Sequence, residues 1–208
     1  KPVLLPAMFA TIKWVYNATS KQTRMSLYGV NGEPVLHKDG HHAWELIYDE
    51  RGRKIESTHF GVDNKPILLA NNYATVKWSY NATDKVTKQI YYGTNGEPIL
   101  YQNKYHGWES QYDERGNEIA TTYLGLDAKP ALLAAGFAMS KSKYDARGNV
   151  IQETYYGVNG EPVLHKDGYH GWEATYDERG KQTAKIYIGL DGKEIRLEKD
   201  AKPPGKSR

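Results

Sequence analysis

Apolar and polar positions alternate with a period of two along the segment that ends at Tyr176. Tyr169, Gly171, Glu173 and Thr175 fall on one side, and His170, Trp172, Ala174 and Tyr176 on the other. That period predicts a β-strand. The same parity puts Trp44 with Tyr48, Trp108 with Tyr112, Trp14 with Tyr16 and Trp78 with Tyr80. A second strand is predicted over Lys54–Phe60, Glu118–Leu124 and Val150–Tyr156. Between the two runs stands Asp-Glu-Arg-Gly, at Asp49–Gly52, Asp113–Gly116 and Asp177–Gly180, or the similar Asp145–Gly148. Asp accepts backbone N–H bonds and Gly supplies a positive φ, so each pair of runs reads as a hairpin with a type I turn and a G1 bulge. Asn17–Ser20 and Asn81–Asp84 lack that glycine, and their turns are expected to differ.

A second tight turn is signalled at Asn31-Gly32, Asn95-Gly96, Asn159-Gly160 and Asp191-Gly192. Pro-Val-Leu or a variant follows, with Pro2, Pro34, Pro66, Pro98, Pro130 and Pro162 each two places before Leu4, Leu36, Leu68, Leu100, Leu132 and Leu164. Proline suits the first residue of a strand, so a short third strand is expected there.

These signals recur at a fixed interval. Units begin at Lys1, Glu33, Lys65, Glu97, Lys129 and Glu161, a constant spacing of 32, and a partial copy begins at Lys193. Residues 33–52, 97–116 and 161–180 resemble one another most closely, so the true period is 64. A fixed period of this kind marks a repeat architecture. The expected fold is all-β: an antiparallel meander over 1–197, read as one array and coiled into a β-spiral or solenoid because strands twist. A β-propeller is the alternative, disfavoured because propeller repeats run to about 40–50 residues. Residues 198–208 read as a basic, disordered tail.

Composition narrows the function. Hydrophobic residues make up 39% of the chain, yet there are 17 Tyr and 5 Trp, so the core must be built largely from rings. The net charge of +3 is too small to signal nucleic acid binding. No apolar run approaches the ~18 residues of a membrane span, so no membrane insertion is expected. With no cysteine there is no disulfide and no thiolate metal site, which fits an exported bacterial protein. Lys1 falls inside a repeat, so the chain reads as a piece of something longer.

At Tyr112-Asp113-Glu114-Arg115-Gly116-Asn117 and Tyr144-Asp145-Ala146-Arg147-Gly148-Asn149 the chain resembles the YD repeats of bacterial Rhs and teneurin-like proteins. The resemblance covers one hairpin turn in each unit. The turns after Tyr48 and Tyr176 lack the final Asn, and those after Tyr16 and Tyr80 lack the Asp. It implies a coiled β-strip in a secreted or surface protein, with no catalytic residues.

No nucleophile, base and orienting group recur together, so no enzyme activity and no cofactor is expected. His42, His106 and His170 lie 64 apart, each two places before Trp44, Trp108 or Trp172. With Trp14 and Trp78 they form the candidate ligand-binding set, because repeated aromatic platforms stack on sugar rings. The competing reading makes these rings the core of a thin sheet. No carboxylate completes a metal shell around the histidines, and the Asp-Glu-Arg-Gly turns offer too few oxygens for calcium. Asn17-Ala18-Thr19 and Asn81-Ala82-Thr83 match the N-glycosylation pattern, on exposed turns. The expected role is a structural or adhesive module of a secreted or surface bacterial protein, with other copies or domains of that protein as partners. The alternative is a module that binds a glycan or cell-wall polymer.

Overall fold

The structure is a computed structural model that describes residues 9–102 and 104–197. It contains twelve hairpin strands: β1 (Thr11–Tyr16), β2 (Gln22–Tyr28), β3 (Ala43–Tyr48), β4 (Lys54–Phe60), β5 (Thr75–Tyr80), β6 (Val86–Tyr92), β7 (Gly107–Tyr112), β8 (Glu118–Leu124), β9 (Met139–Tyr144), β10 (Val150–Tyr156), β11 (Gly171–Tyr176) and β12 (Gln182–Ile188). A two-residue strand, β13 (Glu194–Ile195), follows. All 13 lie in one open sheet in chain order, and the described residues contain no helix. The predicted meander is therefore present. The chain divides into two compact bodies, 1–108 with 125–128, and 109–124 with 129–208. The expected basic tail falls outside the described residues.

Each repeat holds two strands, not three. Proline has no N–H to donate, so Pro34 makes only a single bridge with Tyr28, as do Pro66 with Phe60, Pro98 with Tyr92, Pro130 with Leu124 and Pro162 with Tyr156. The next residue completes a clip: Val35 N–H donates to Leu27 O (3.1 Å) and Val163 N–H to Tyr155 O (3.1 Å). The chain then turns, and Leu27 N–H donates to the returning His42 carbonyl (3.0 Å). Leu27 thus divides its two backbone groups between two segments, and the next long strand starts one residue later. Where Glu194 stands in place of proline, Glu194 and Ile195 pair with Ile188 and Tyr187, and the clip becomes β13.

Long strands pair in a constant register. Arg24 opposes Glu45 and Ser26 opposes Ala43 in the first body; Gln152 opposes Glu173 and Thr154 opposes Gly171 in the second. The core forms where the clips meet the strands. In the first body Phe9, Met25 and Leu27 are buried with Val35 and Trp44 against them. In the second, Tyr155, Tyr169 and Leu197 are buried with Phe137, Val163, Trp172 and Tyr187 around them. Each such side chain contributes roughly 1.5–3 kcal/mol by leaving water.

Candidate functional site

The polar signature of the repeat sits at the turn between its two long strands. Asp113 Oδ1 accepts the amides of Arg115 (3.0 Å) and Asn117 (2.8 Å), and Oδ2 accepts Asn117 Nδ2–H (2.8 Å). Asp145 repeats this with Arg147 and Asn149. Hydrogen bonds from Asn117 and Asn149 hold both carboxyl groups below their usual range. Asp49 is lowered in the same way, first by the Arg53 amide and then by its guanidinium. The turns at Asn17 and Asn81, expected to differ, have the same form. Asn17 Oδ1 accepts the amides of Thr19 (3.1 Å) and Lys21 (2.9 Å), and Asn81 does so from Thr83 (3.0 Å) and Lys85 (3.0 Å). Ser20 and Asp84 take the glycine's place at φ 59° and 63°. The amide bonds fix the loop, and the non-glycine residue bears the strain.

These turns are stitched to their neighbours. Four of the tyrosines before these turns donate their hydroxyls to a backbone carbonyl of the preceding hairpin: Tyr48 to Gln22 O (2.8 Å), Tyr80 to Lys54 O (2.6 Å), Tyr144 to Glu118 O (2.7 Å) and Tyr176 to Val150 O (3.0 Å). Basic side chains reach the other way. Arg51 donates to Ala82 O (3.2 Å), and Arg53 to Asn81 O (3.0 Å) and Asp84 Oδ1 (2.9 Å). Arg115 donates to Asp145 O (3.0 Å), Arg147 to Asp177 O (3.1 Å), and Lys21 to Gly52 O. The Tyr and Asp of the motif thus have separate tasks. Asp shapes its own turn, while Tyr48, Tyr144 and Tyr176 bond to the hairpin before.

Of the candidate residues, His42, His106 and His170 are buried at 4%, 3% and 7% exposure. Each lies with Nδ1 against the carbonyl seven residues earlier: Val35 (3.2 Å), Ile99 (3.0 Å) and Val163 (3.0 Å). A carbonyl can only accept, so Nδ1 carries the proton. Their rings meet Tyr28, Tyr92 and Tyr156 edge-on at 5.3–5.5 Å. The predicted alternation through 169–176 breaks here, because β11 starts at Gly171 and the backbone bends at His170. Tyr169 packs on Tyr187 (4.7 Å), the cross-strand partner of Trp172. His170 instead packs on Tyr156, two residues beyond Thr154, the partner of Gly171. Tyr169 and Trp172 therefore share a face, with His170 on the other.

Trp44, Trp78, Trp108 and Trp172 are half-buried. Trp78 Nε1–H donates to Gln89 Oε1 (2.7 Å) and Trp172 Nε1–H to Glu153 Oε2 (2.9 Å), while Lys185 lies over the Trp172 ring at 4.2 Å. Trp14, 41% exposed, meets Trp44 edge-on at 5.8 Å across β2. Trp44 and Trp108 do not meet, since β4, β5 and β6 lie between β3 and β7.

The dominant ring column is a different one. Phe9, His41, Tyr73, Tyr105, Phe137 and Tyr169, spaced by 32, are all aromatic. They interleave with rings at the ends of the second strands. In the first body the column runs His41–His59 (5.4 Å), His59–Tyr73 (5.7 Å) and Tyr73–Tyr91 (5.2 Å). In the second it runs Phe137–Tyr155 (4.6 Å), Tyr155–Tyr169 (5.9 Å) and Tyr169–Tyr187 (4.7 Å). Burial pushes the phenols of Tyr91 and Tyr155 well upward. A third ring caps the column at His37, Tyr101 and His165.

Only one repeat places histidine at all three positions, His37, His41 and His59. His41 Nδ1 is buried with no hydrogen-bond partner among the described residues. Burial, followed by the neighbouring His59 and His37, lowers the His41 pKa to about 4. Among the described residues no group of three His, Asp or Glu side chains could hold a metal ion. An open groove of about 570 Å³ lies on the second body, lined by Lys143, Gln152, Glu173, Thr175, Ala184 and Ile186 among others. Its one carboxylate, Glu173, accepts a hydrogen bond from Gln152 Nε2 (2.6 Å).

No protein-family model matches the chain, and no curated protein matches it. Solved structures of toxin complexes are similar over most of its length. One is the Photorhabdus luminescens Tc holotoxin pore, at 13% identity and TM-score 0.39, covering 85% of this chain. The TcdB2–TccC3 complex in a TEV form gives 15% identity, TM-score 0.45 and 88% coverage. The same complex without its hypervariable C-terminal region gives 14%, 0.40 and 88%. This chain spans 9% of the length of each of those chains.

Proposed function

We propose that the chain is a non-catalytic structural module, a stretch of stalk, shell or scaffold in a secreted or surface bacterial protein. One observation carries the reading: the polar groups that define the repeat bond to neighbouring hairpins. The hydroxyls of Tyr48, Tyr80, Tyr144 and Tyr176 each take a carbonyl one repeat earlier. Arg51, Arg115 and Arg147 each take one a repeat later. Groups bonded in this way add cohesion with every repeat. Coiling of the strip, with a closed propeller as the alternative, belongs to the same proposal and rests on strand twist. Its partners are further copies or domains of the parent protein.

A glycan-binding reading is favoured by one feature, the exposed Trp14 ring beside Trp44. Tryptophan fluorescence titrated with a glycan panel, peptidoglycan fragments included, separates the two. A scaffold gives a flat response. A saturable shift, lost in Trp14→Ala with folding intact, would establish the binding module instead.

A further inference from the structure

One stretch of the ring column in the first body is built from tyrosine alone. Tyr73, Tyr91, Tyr101 and Tyr105 meet one another: Tyr73–Tyr91 at 5.2 Å, Tyr73–Tyr101 at 5.9 Å, Tyr91–Tyr105 at 6.3 Å and Tyr101–Tyr105 at 5.8 Å. The closest pair of the four is Tyr91–Tyr101, stacked at 4.4 Å with 16° between the ring planes. The same four positions hold Phe9, Leu27, His37 and His41 one 64-residue period earlier, and Phe137, Tyr155, His165 and Tyr169 one period later. Packing at these positions is therefore served without four phenols. What a phenol adds to a ring is a hydroxyl and an electron it can give up together with its proton, which phenylalanine and leucine do not offer.

The backbone fixes the stacked pair. Tyr91 lies in β6, and its carbonyl accepts the Ile99 amide of the clip that follows (3.4 Å). Tyr101 stands just past that clip and donates its amide to Tyr105 O (2.7 Å). Tyr91 is 5% exposed, and its hydroxyl accepts a hydrogen bond from Gln89 Nε2. Tyr73, Tyr101 and Tyr105 are half-buried, so their rings reach solvent. The Tyr91 phenol lies near enough to those of Tyr105, Tyr101 and Tyr73 to feel their charge. A proton leaving Tyr91 thus has neighbouring phenol oxygens to pass to on its way to water.

We propose that Tyr91 and Tyr101 are a site of oxidative coupling, at which hydrogen peroxide acting through a haem peroxidase joins the two rings as dityrosine. Each phenol gives up one electron and one proton. The electron of Tyr91 crosses the stack to Tyr101, whose half-buried ring meets the oxidant. The two phenoxyl radicals form a bond between ring carbons adjacent to their oxygens, and the hydrogen on each of those carbons moves to the oxygen and restores the phenol. Two electrons and two protons leave in all, and one hydrogen peroxide takes them up to become two waters. The new bond ties the clip to β6. A second close pair, Tyr169–Tyr187, is less suited: its rings are 4.7 Å apart but tilted by 50°, and the Lys185 ammonium lies over Tyr187 at 5.5 Å. A positive charge over a ring opposes the removal of an electron from it. The proposal stands on ring geometry and does not rest on the scaffold reading.

The test treats the full chain, at low concentration, with a haem peroxidase and hydrogen peroxide. Dityrosine fluorescence is expected in material that stays monomeric. Tyr91 and Tyr101 share one tryptic peptide, 89–104, which should appear two hydrogens lighter, with fragmentation suppressed between the two tyrosines. The yield should fall at least tenfold in Tyr101→Phe, checked by circular dichroism to remain folded, and persist in Tyr92→Phe. The coupled chain should also unfold at a higher urea concentration than the untreated one, because the bond closes a loop in the unfolded state. Absence of dityrosine, an undiminished yield in Tyr101→Phe, or coupling confined to other tyrosines would overturn the proposal. So would an equal yield of the same link from the urea-unfolded chain, since the fold would then play no part.

Discussion

At the scale of residues, the main lesson is how the turns tolerate the wrong residue. Ser20 and Ala128 sit at φ 59°, a region that costs a non-glycine residue about 1–2 kcal/mol. Set against the greater chain entropy of glycine, Ser20→Gly and Ala128→Gly should each stabilise the fold by about 0.5–1 kcal/mol, read as a raised urea midpoint with unchanged slope. The missing glycines were visible in the sequence, but their consequence was not. Sequence alone does not say that Asn17 Oδ1, bonded to two amides, holds the loop whatever follows. His41 gives a second expectation. Its pKa is lowered from 6.5 to about 4, first by burial and then by the charges of His59 and His37. The folded state holds His41 neutral while the unfolded chain takes up a proton near pH 6.5. Stability is therefore full above that pH and falls as pH drops from about 6.5 to 4, by up to roughly 3 kcal/mol. Urea unfolding across that range measures the loss. His41→Phe, which copies the residue at Phe9 and Phe137, should flatten the curve.

At the scale of elements, the hairpins were legible because Asp, Gly and the period of two are local signals. The boundaries of β4, β8 and β10 agree with the sequence pattern. The third strand was not legible as a clip, because the proline that suggested a strand start also denies the ladder its donor. The face of the rings was not legible for a related reason. Periodicity assumes an extended chain, and the backbone bends at His170 before β11 begins. The ring column at Phe9, His41, Tyr73, Tyr105, Phe137 and Tyr169 could have been found by aligning the repeats, since every member is aromatic. The start of β11 carries its own test. A Cβ on Gly171 would lie 2.3 Å from Glu153 O, so Gly171→Ala must push β10 and β11 apart. It should cost about 1–3 kcal/mol of unfolding free energy.

At the scale of the whole molecule, stability is expected to arise chiefly between nearest hairpins, as in other repeat arrays. The 64-residue period has a structural counterpart. Tyr28–His42, Tyr92–His106 and Tyr156–His170 recur at that interval as edge-on pairs, and alanine stands at 74 and 138 in the intervening repeats. The central claim is that the motif tyrosine serves the hairpin before it. Paired urea titrations of Tyr144→Phe and Tyr16→Phe at low protein concentration test it most directly. Tyr144 has a carbonyl to bond in the preceding hairpin, Glu118 O at 2.7 Å, and among the described residues no hairpin precedes Tyr16 in the sheet. The account predicts a loss of about 0.5–1.5 kcal/mol for Tyr144→Phe and little change for Tyr16→Phe. Equal losses in the two variants, or none in Tyr144→Phe, would contradict it.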